Sequence, residues 1–532
     1  MKLEPKPLGN IISLISLFSF SFILKFKITY FVKKIKSKLN AKKFSEGNFL
    51  NINKLLTFFI YLLIAYAIFS VFFVFISRLF FPYQLEWMEG GEIEHILRLL
   101  DGKCIYCPPS LEFIPYIYTP LFYYIGIPFI KIFGVNFFSI RLVSILGFVL
   151  LLSTTYLVVF KTTKNKFWSF VAVGLLAFSY STTGFWFDLA RVDTIANLFM
   201  LLSFFFLLDE NPKRNLLSAF FAFCAFYTKQ SFISVHLFLL LGLLIRDKGL
   251  FSKHFLLYFS LILVSTIIET IRSNGWYIFW NFTLPASHYW IWSRVVTFWS
   301  IDLLPFYSIS LALILGYFFV QKDELFKSKE IYFLLFLIGT LFNSYFLRLH
   351  YGGYLNVLIP FVISISIVLP IIVFRFQQMF NSKNIQTILL TLVLVQFCLL
   401  IYDFLTPIPT QKDKGEIEYL LNNFRETQGD VYLMGYNFVQ RYIGKRDFPH
   451  YVLVNDLLIA NLKEKESFER EFIYSLKTHK FSAILLDDDL TLKHLDKYYY
   501  KTDKFFYHRV FNTKNVFRKE VVWLPKQKDY SN

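Results

Sequence analysis

Residues Leu85 to Pro120 read LEWMEGGEIEHILRLLDGKCIYCPPSLEFIPYIYTP. The stretch follows a long apolar segment, Leu55–Ser77, and carries Glu86, Glu89, Glu92, Glu94, Asp101 and Glu112 with Arg98 and Lys103. Pro82 and Gly90-Gly91 break the chain. From Gly91 to Leu100, Ile93, Ile96, Leu97 and Leu100 recur at helical spacing, which predicts a short amphipathic helix ended by Asp101-Gly102. Tyr118–Phe133 is apolar and aromatic but interrupted by Pro120 and Pro128, which predicts a helix lying in a membrane interface rather than a span. Two readings of the acids stand open: carboxylates placed at a lipid–water boundary, or a solvated loop that the acids keep wet.

The whole chain has the composition of a polytopic α-helical membrane protein. Of its residues 56% are hydrophobic, 21% aromatic and 17% charged, with 68 Phe, and the mean hydropathy is +0.50. A soluble globular chain cannot hide that much apolar surface. The net charge of +18 lies in clusters between apolar segments, which fits membrane topology and not nucleic acid. Four cysteines, Cys104, Cys107, Cys224 and Cys398, exclude a disulfide-rich scaffold. Cys104-x-x-Cys107 reads as a disulfide, as incidental thiols or as half a metal site; no Cys or His cluster beside it completes the last.

Eleven core spans are expected: Leu55–Ser77, Ser139–Phe160, Phe167–Phe185, Thr194–Leu208, Leu216–Thr228, Ser231–Ile245, Phe255–Ile271, Leu303–Val320, Ile331–Leu347, Leu355–Phe374 and Ile385–Leu405. Several fall short of the roughly 20 residues of a perpendicular span, as helices ending in a cavity do. Leu8–Leu24 predicts a further, non-core N-terminal helix. It lacks a small-residue cleavage site and is followed by the lysine-rich Lys25–Lys54, which argues against a removed signal peptide. With Lys25–Lys54 inside, alternate connections (161–166, 209–214, 246–254, 321–330 and 375–384) all carry Lys or Arg and fall inside too. The first loop, 78–138, then lies outside. Residues 410–532 are polar and alternate helix-like and strand-like stretches (Gly415–Arg425, Asp430–Met434, Lys463–Thr478, Phe481–Leu486), which predicts a small α/β domain on the outer face. The expected parts are therefore 1–54, a spanning domain 55–409 and the domain 410–532.

Chemistry-bearing residues gather in the outer connections. Gly184–Thr194, GFWFDLARVDT, sets Asp188, Arg191 and Asp193 beside Trp186. Ionisable groups near hydrocarbon are functional or paired, and Asp188 with Arg191 at i,i+3 is the structural alternative. Lys229, between two short apolar halves in YTKQ, reads as a phosphate contact or a snorkelling anchor. Arg348–Asn356, RLHYGGYLN, offers a guanidinium fork for phosphate and a Gly-Gly that lets backbone approach a ligand. Asn281–Trp292 holds His288 among aromatics, a sugar platform or an ordinary interfacial belt. Asp487-Asp488-Asp489 reads as a solvated turn. The chain has no P-loop, GxSxG or HExxH.

The series EWMEGG, LRLLDG, YTPLFYY, FDLARVD, YTKQ and RLHYGGYLNVLIP, in that order, resembles bacterial glycosyltransferases of the GT-C superfamily. It is most similar to glycosyltransferase family 39-like proteins, related to aminoarabinose transferases and protein O-mannosyltransferases. The resemblance implies an enzyme that moves a sugar, with inversion, from a polyprenyl-phosphate donor to a lipid, glycan or protein acceptor on the outer face. It implies a catalytic acid in the first outer loop, commonly in an Asp-Glu pair. Here that pair is replaced by Met88-Glu89, so Glu89 and Glu86 both stand as the base, with Asp193 and its neighbour Asp188 as the second acid. Lys229, Arg348, Arg191 and His350 are the expected phosphate contacts; Tyr118, Trp186, Gln230, His288, Tyr351 and Asn356 are the expected substrate contacts. No metal ligands are assigned, and a divalent metal stays open. The alternatives are a transporter or flippase for lipid-linked sugars, a non-catalytic scaffold and an O-antigen ligase-like enzyme. Few mid-span charges and no internal repeat speak against transport.

Overall fold

The computed structural model of the protein describes residues 46–209, 211–325, 329–490, 492–509 and 517–527. Leu8–Leu24 and the lysine-rich segment as far as residue 45 lie outside them. Every expected core span carries a helix. Among the described residues, six helical stretches are long and apolar enough to cross a membrane: Ile52–Leu79, Phe137–Thr163, Lys248–Arg272, Arg294–Val320, Glu330–Leu349 and Leu355–Phe380. The most apolar 18-residue stretch of Leu355–Phe380 is 94% buried and forms the middle of the bundle, whereas that of Lys248–Arg272 is 17% buried and turns an apolar face outward. Asn136, Asn165, Asn211 and Asp247 cap the helices that follow them by accepting the amides of Ser139, Trp168, Lys213 and Leu250.

The remaining spans are short, and their shortness makes the site. Phe167–Phe185 is helical only over Lys166–Phe178. Thirteen residues rise about 20 Å, against the roughly 30 Å of a bilayer core. The chain then turns, and residues 182–193 run buried inside the bundle until the next helix starts at Asp193. Irregular backbone at such a depth is tolerated only where protein or a cavity surrounds it. Helices Pro212–Thr228 and Ile233–Arg246 likewise meet at a break, with Lys229 in extended backbone between them.

The first-loop helix spans Glu89–Leu100 and the second Leu121–Phe133. The solvated reading fails for Glu86, Glu89 and Glu92, which are 1%, 0% and 0% exposed, and holds for Asp101 and Glu112, which are exposed. Gly91 is needed here: a Cβ on it would lie 1.8 Å from the Tyr116 hydroxyl, which donates to the Met88 carbonyl at 3.0 Å.

In the C-terminal part, a Thr410–Asp413 capping box opens helix Gln411–Arg425. β1 (Asp430–Leu433) pairs in parallel with β2 (Phe481–Asp487), and β4 (Phe517–Pro525) lies antiparallel between β2 and β3 (Tyr499–Arg509). Helix Tyr451–Ile459 and the β3–β4 pair are absent from the expected elements. Residues Thr57–Asn532 form one compact unit.

Candidate active site

Glu89 is the most tightly held acid of the loop. Its Oε1 accepts from Arg141 Nε and from the Ala190 amide, both at 2.9 Å, and its Oε2 from Arg141 Nη2 and the Leu85 amide, both at 2.6 Å. Arg141 also donates to the carbonyls of Arg78, Phe81 and Tyr83. Burial alone would raise the Glu89 carboxyl, but Arg141 and the two amides outweigh it and hold the group below the usual carboxylate range. With both oxygens doubly occupied, Glu89 has no lone pair left to take an acceptor's proton. The expectation of a base at Glu89, with its pKa lifted by partial burial, is therefore revised: the residue ties three stretches of chain together, the start of the first loop, Arg141 and the backbone at Ala190.

Asp188 is also tied, and not to Arg191. Its Oδ2 lies 3.2 Å from Arg78 Nε, and its Oδ1 accepts from the Tyr180 hydroxyl at 2.5 Å. Arg78 in turn donates to that hydroxyl. Arg78 and Arg141, each at one end of an apolar span, escaped the sequence reading because their partners lie far along the chain.

Arg191 instead sits at the centre of a second cluster. Its Nη1 is 3.5 Å from Glu86 Oε2, its Nε is 3.7 Å from Glu92 and 3.9 Å from Asp193, and its Nη2 donates to the Tyr118 hydroxyl at 2.8 Å. Asp193 is the best satisfied of the three acids: it accepts from Lys229 Nζ at 2.7 Å, Asn356 Nδ2 at 3.0 Å and Trp186 Nε1 at 3.1 Å. Glu86 is only half satisfied. Its Oε2 accepts from the Met88 amide, and its Oε1 is buried without a hydrogen bond. Neither oxygen of Glu92 has a hydrogen bond. Burial pushes Glu86 up to about 7 against the pull of Arg191, and Glu92 to about 8. Glu92 was not singled out from sequence, although Glu89 and Glu92, one turn apart around Gly90-Gly91, were a signal that could have found it.

Tyr118, Lys229 and Asn356 carry the cluster to a cavity of about 330 Å³, which they line with Gln230 and His350, while Glu86, Glu92, Arg191 and Asp193 lie behind its wall. The Lys229 ammonium lies 5.7 Å from the Tyr118 ring centroid. Gln230 donates to the carbonyls of Ile117 and Asn281, leaving its Oε1 buried without a partner. His350 Nε2 donates to the Pro285 carbonyl at 2.9 Å. Aliphatic and aromatic side chains such as Phe282, Leu347 and Val357 complete the wall. The structure thus joins Glu86, Tyr118, Trp186, Arg191, Asp193, Lys229, Gln230, His350 and Asn356.

Three expected contacts lie elsewhere. Arg348 is spent on Asp302, at 2.7 Å, and on the Gly353 carbonyl, and it does not line the cavity. Tyr351 stacks on Tyr289 and meets Asn455 of the C-terminal domain. His288 is buried, 3.8 Å from Asp456 of that domain. Nor does the Gly352-Gly353 pair serve only a ligand: a Cβ on Gly353 would lie 2.0 Å from the chain's own Leu347 carbonyl. Cys104 and Cys107 are free thiols sharing Arg98 Nη2 at 4.0 Å. Among the described residues no three His, Cys, Asp or Glu side chains form a group that could hold a metal.

Neither a protein-family model nor a curated protein sequence matches this chain. Solved structures do. ArnT from Cupriavidus metallidurans in the apo state superposes with a TM-score of 0.54 at 11% identity, over 87% of this chain and 97% of that one. ArnT from the same organism bound to undecaprenyl phosphate gives 0.53 at 12% identity, over 88% and 98%. The chain therefore shares the fold of these ArnT structures.

Proposed function

We propose that this protein is an integral-membrane glycosyltransferase. It moves a sugar from a polyprenyl-phosphate donor to an acceptor hydroxyl or amine of a lipid, glycan or protein on the outer face, with inversion. One observation carries the reading. Two buried carboxyls with unfilled acceptor positions, Glu86 and Glu92, meet Arg191, which is joined through Tyr118 and Asp193 to Lys229 in a partly apolar cavity. Transfer needs a base for the acceptor proton and positive charge for the departing phosphate. Glu86 takes the proton as the acceptor attacks the anomeric carbon. The carbon–oxygen bond to phosphate breaks, and polyprenyl phosphate leaves with the electron pair. Lys229, aimed by Asp193, and Arg191 stabilise that phosphate, while the apolar wall receives the first isoprene units. The likeness to a fold solved with undecaprenyl phosphate supports this class of donor. Turnover of a radiolabelled polyprenyl-phosphate sugar by the purified protein, with release of polyprenyl phosphate, is the test. A donor moved across vesicles without cleavage would favour the transporter instead.

Two expected results arise directly. Lys229→Ala should weaken donor use about ten- to a hundredfold, the loss of one charge-assisted contact of ~1.5–3 kcal/mol. Arg348→Ala should leave donor kinetics near wild type and lower the melting temperature, because it strands Asp302. Equal donor defects in both variants would return Arg348 to the phosphate site. For orientation, in a chain whose own four cysteines are replaced by serine, a cysteine replacing Asp430 should react with an impermeant maleimide added to intact cells, and one replacing Lys43 should not; the reverse would invert the topology.

A further inference from the structure

Strand β4 presents Arg518, and its guanidinium lies over the Trp87 ring, 4.8 Å from the centroid. Within its own domain, Arg518 Nη1 donates to the Tyr451 hydroxyl at 3.0 Å and lies 3.4 Å from Asp487. Trp87 is 7% exposed, and it meets the Tyr354 ring edge-on at 4.9 Å. Two loops that build the site therefore converge on one stack whose outer member belongs to the C-terminal domain. Trp87 follows Glu86 directly. Tyr354 stands two residues before Asn356, which donates to Asp193. The same domain holds the loop a second time, through Gln84 Nε2 on the Gly435 carbonyl. A cavity of about 40 Å³, room for about one water, lies between the two parts and is lined by Glu86, Arg518, Tyr451 and His450.

We propose that Arg518 is a positioning residue for the transfer reaction: through Trp87 it sets the place of Glu86, and through Tyr354 that of Asn356, so that docking of the C-terminal domain completes the site. Arginine suits this role because its flat guanidinium stacks on an indole while its edge still pairs with Asp487 and Tyr451; a lysine ammonium keeps the charge and loses the plane. The catalytic consequence rests on the transferase reading, while the mechanical one does not.

The test uses the full-length protein in detergent. In Arg518→Ala, amide hydrogen exchange over residues 84–92 should quicken. kcat should fall roughly ten- to a hundredfold, the scale of a small misplacement of a reacting group, with a clearly smaller rise in donor KM, since Trp87 adjoins Glu86 directly whereas Asn356, in the wall of the Lys229 cavity, is reached only through Tyr354. Arg518→Lys, the gentler variant, covers the case in which Ala loosens the whole domain, and should show the same split in smaller measure. Trp87→Ala combined with Arg518→Ala should lose little more than either alone, because both remove one stack. Wild-type exchange over 84–92 in Arg518→Ala overturns the proposal. So does quickened exchange with unchanged kcat, or a KM defect that matches the kcat defect. If the wild-type chain cleaves no donor, the transferase reading fails by itself, and the exchange comparison still decides whether Arg518 sets the loop.

Discussion

Glu89→Gln should cost the protein stability first and activity only through it. Glutamine keeps the size of the side chain but replaces one oxygen by an amide nitrogen, a donor that would face Arg141 Nη2 or the Leu85 amide at the present 2.6 Å. It also leaves the fully buried Arg141 guanidinium without its counter-charge. Breaking a buried ion pair from one side typically costs about 3–5 kcal/mol, a large part of the ~5–15 kcal/mol that holds a domain folded. The pH dependence has a definite sign. Because folding lowers the Glu89 pKa, its contribution is fully present above the unfolded carboxylate range and is lost as pH falls through and below that range. Thermal unfolding in detergent should show a clearly lower midpoint for Glu89→Gln, while Glu92→Gln, which breaks no hydrogen bond, stays near wild type. A Glu89→Gln protein that melts like wild type and transfers no sugar would restore Glu89 as the base and remove the case for Glu86.

The architecture was legible in the sequence to the extent that it depends on local apolar runs. Eleven apolar segments became helices, and the breaks at Gly184–Thr194 and Lys229 marked where the bundle is hollowed. The acids of the first loop were legible as a cluster, but their roles were not. Which carboxylate is spent on structure depends on pairings such as Glu89 with Arg141, Asp188 with Arg78 and Arg348 with Asp302. These join residues 46 to 110 positions apart, and no periodicity encodes them. Position in the motif favoured Glu89, whereas acceptor capacity favours Glu86 and Glu92. The β3–β4 pair was missed for a related reason: Tyr499–Arg509 carries charges on both sides of the strand, so it lacks the clean alternation of a half-buried strand. With that pair went the residue through which the C-terminal domain reaches the site.

The proposal that the half-satisfied acid, Glu86, is the base has its own test. Glu86→Gln should lower kcat by about 10²–10⁴-fold, the range of a positioned general base, with the melting midpoint and donor binding close to wild type. Only the carboxylate form can accept the acceptor's proton. Burial holds Glu86 up to about 7, so the wild-type rate should climb with pH along a limb centred near 7 and level off above it, and the residual rate of Glu86→Gln should lose that limb. Glu92 supplies the counter-test, since its carboxyl is pushed to about 8 and is mostly protonated at neutral pH. A group in that state donates to Arg191's other partners or to substrate more readily than it accepts. Glu92→Gln, which keeps a donor, should therefore retain much of the activity. A dead Glu92→Gln beside an active Glu86→Gln, with the wild-type limb centred near 8, would move the base to Glu92. Full activity in both would take proton transfer away from Glu86 and Glu92 and leave Glu89, tested by its melting behaviour, and Asp193, already committed to Lys229, Asn356 and Trp186, as the acids to examine.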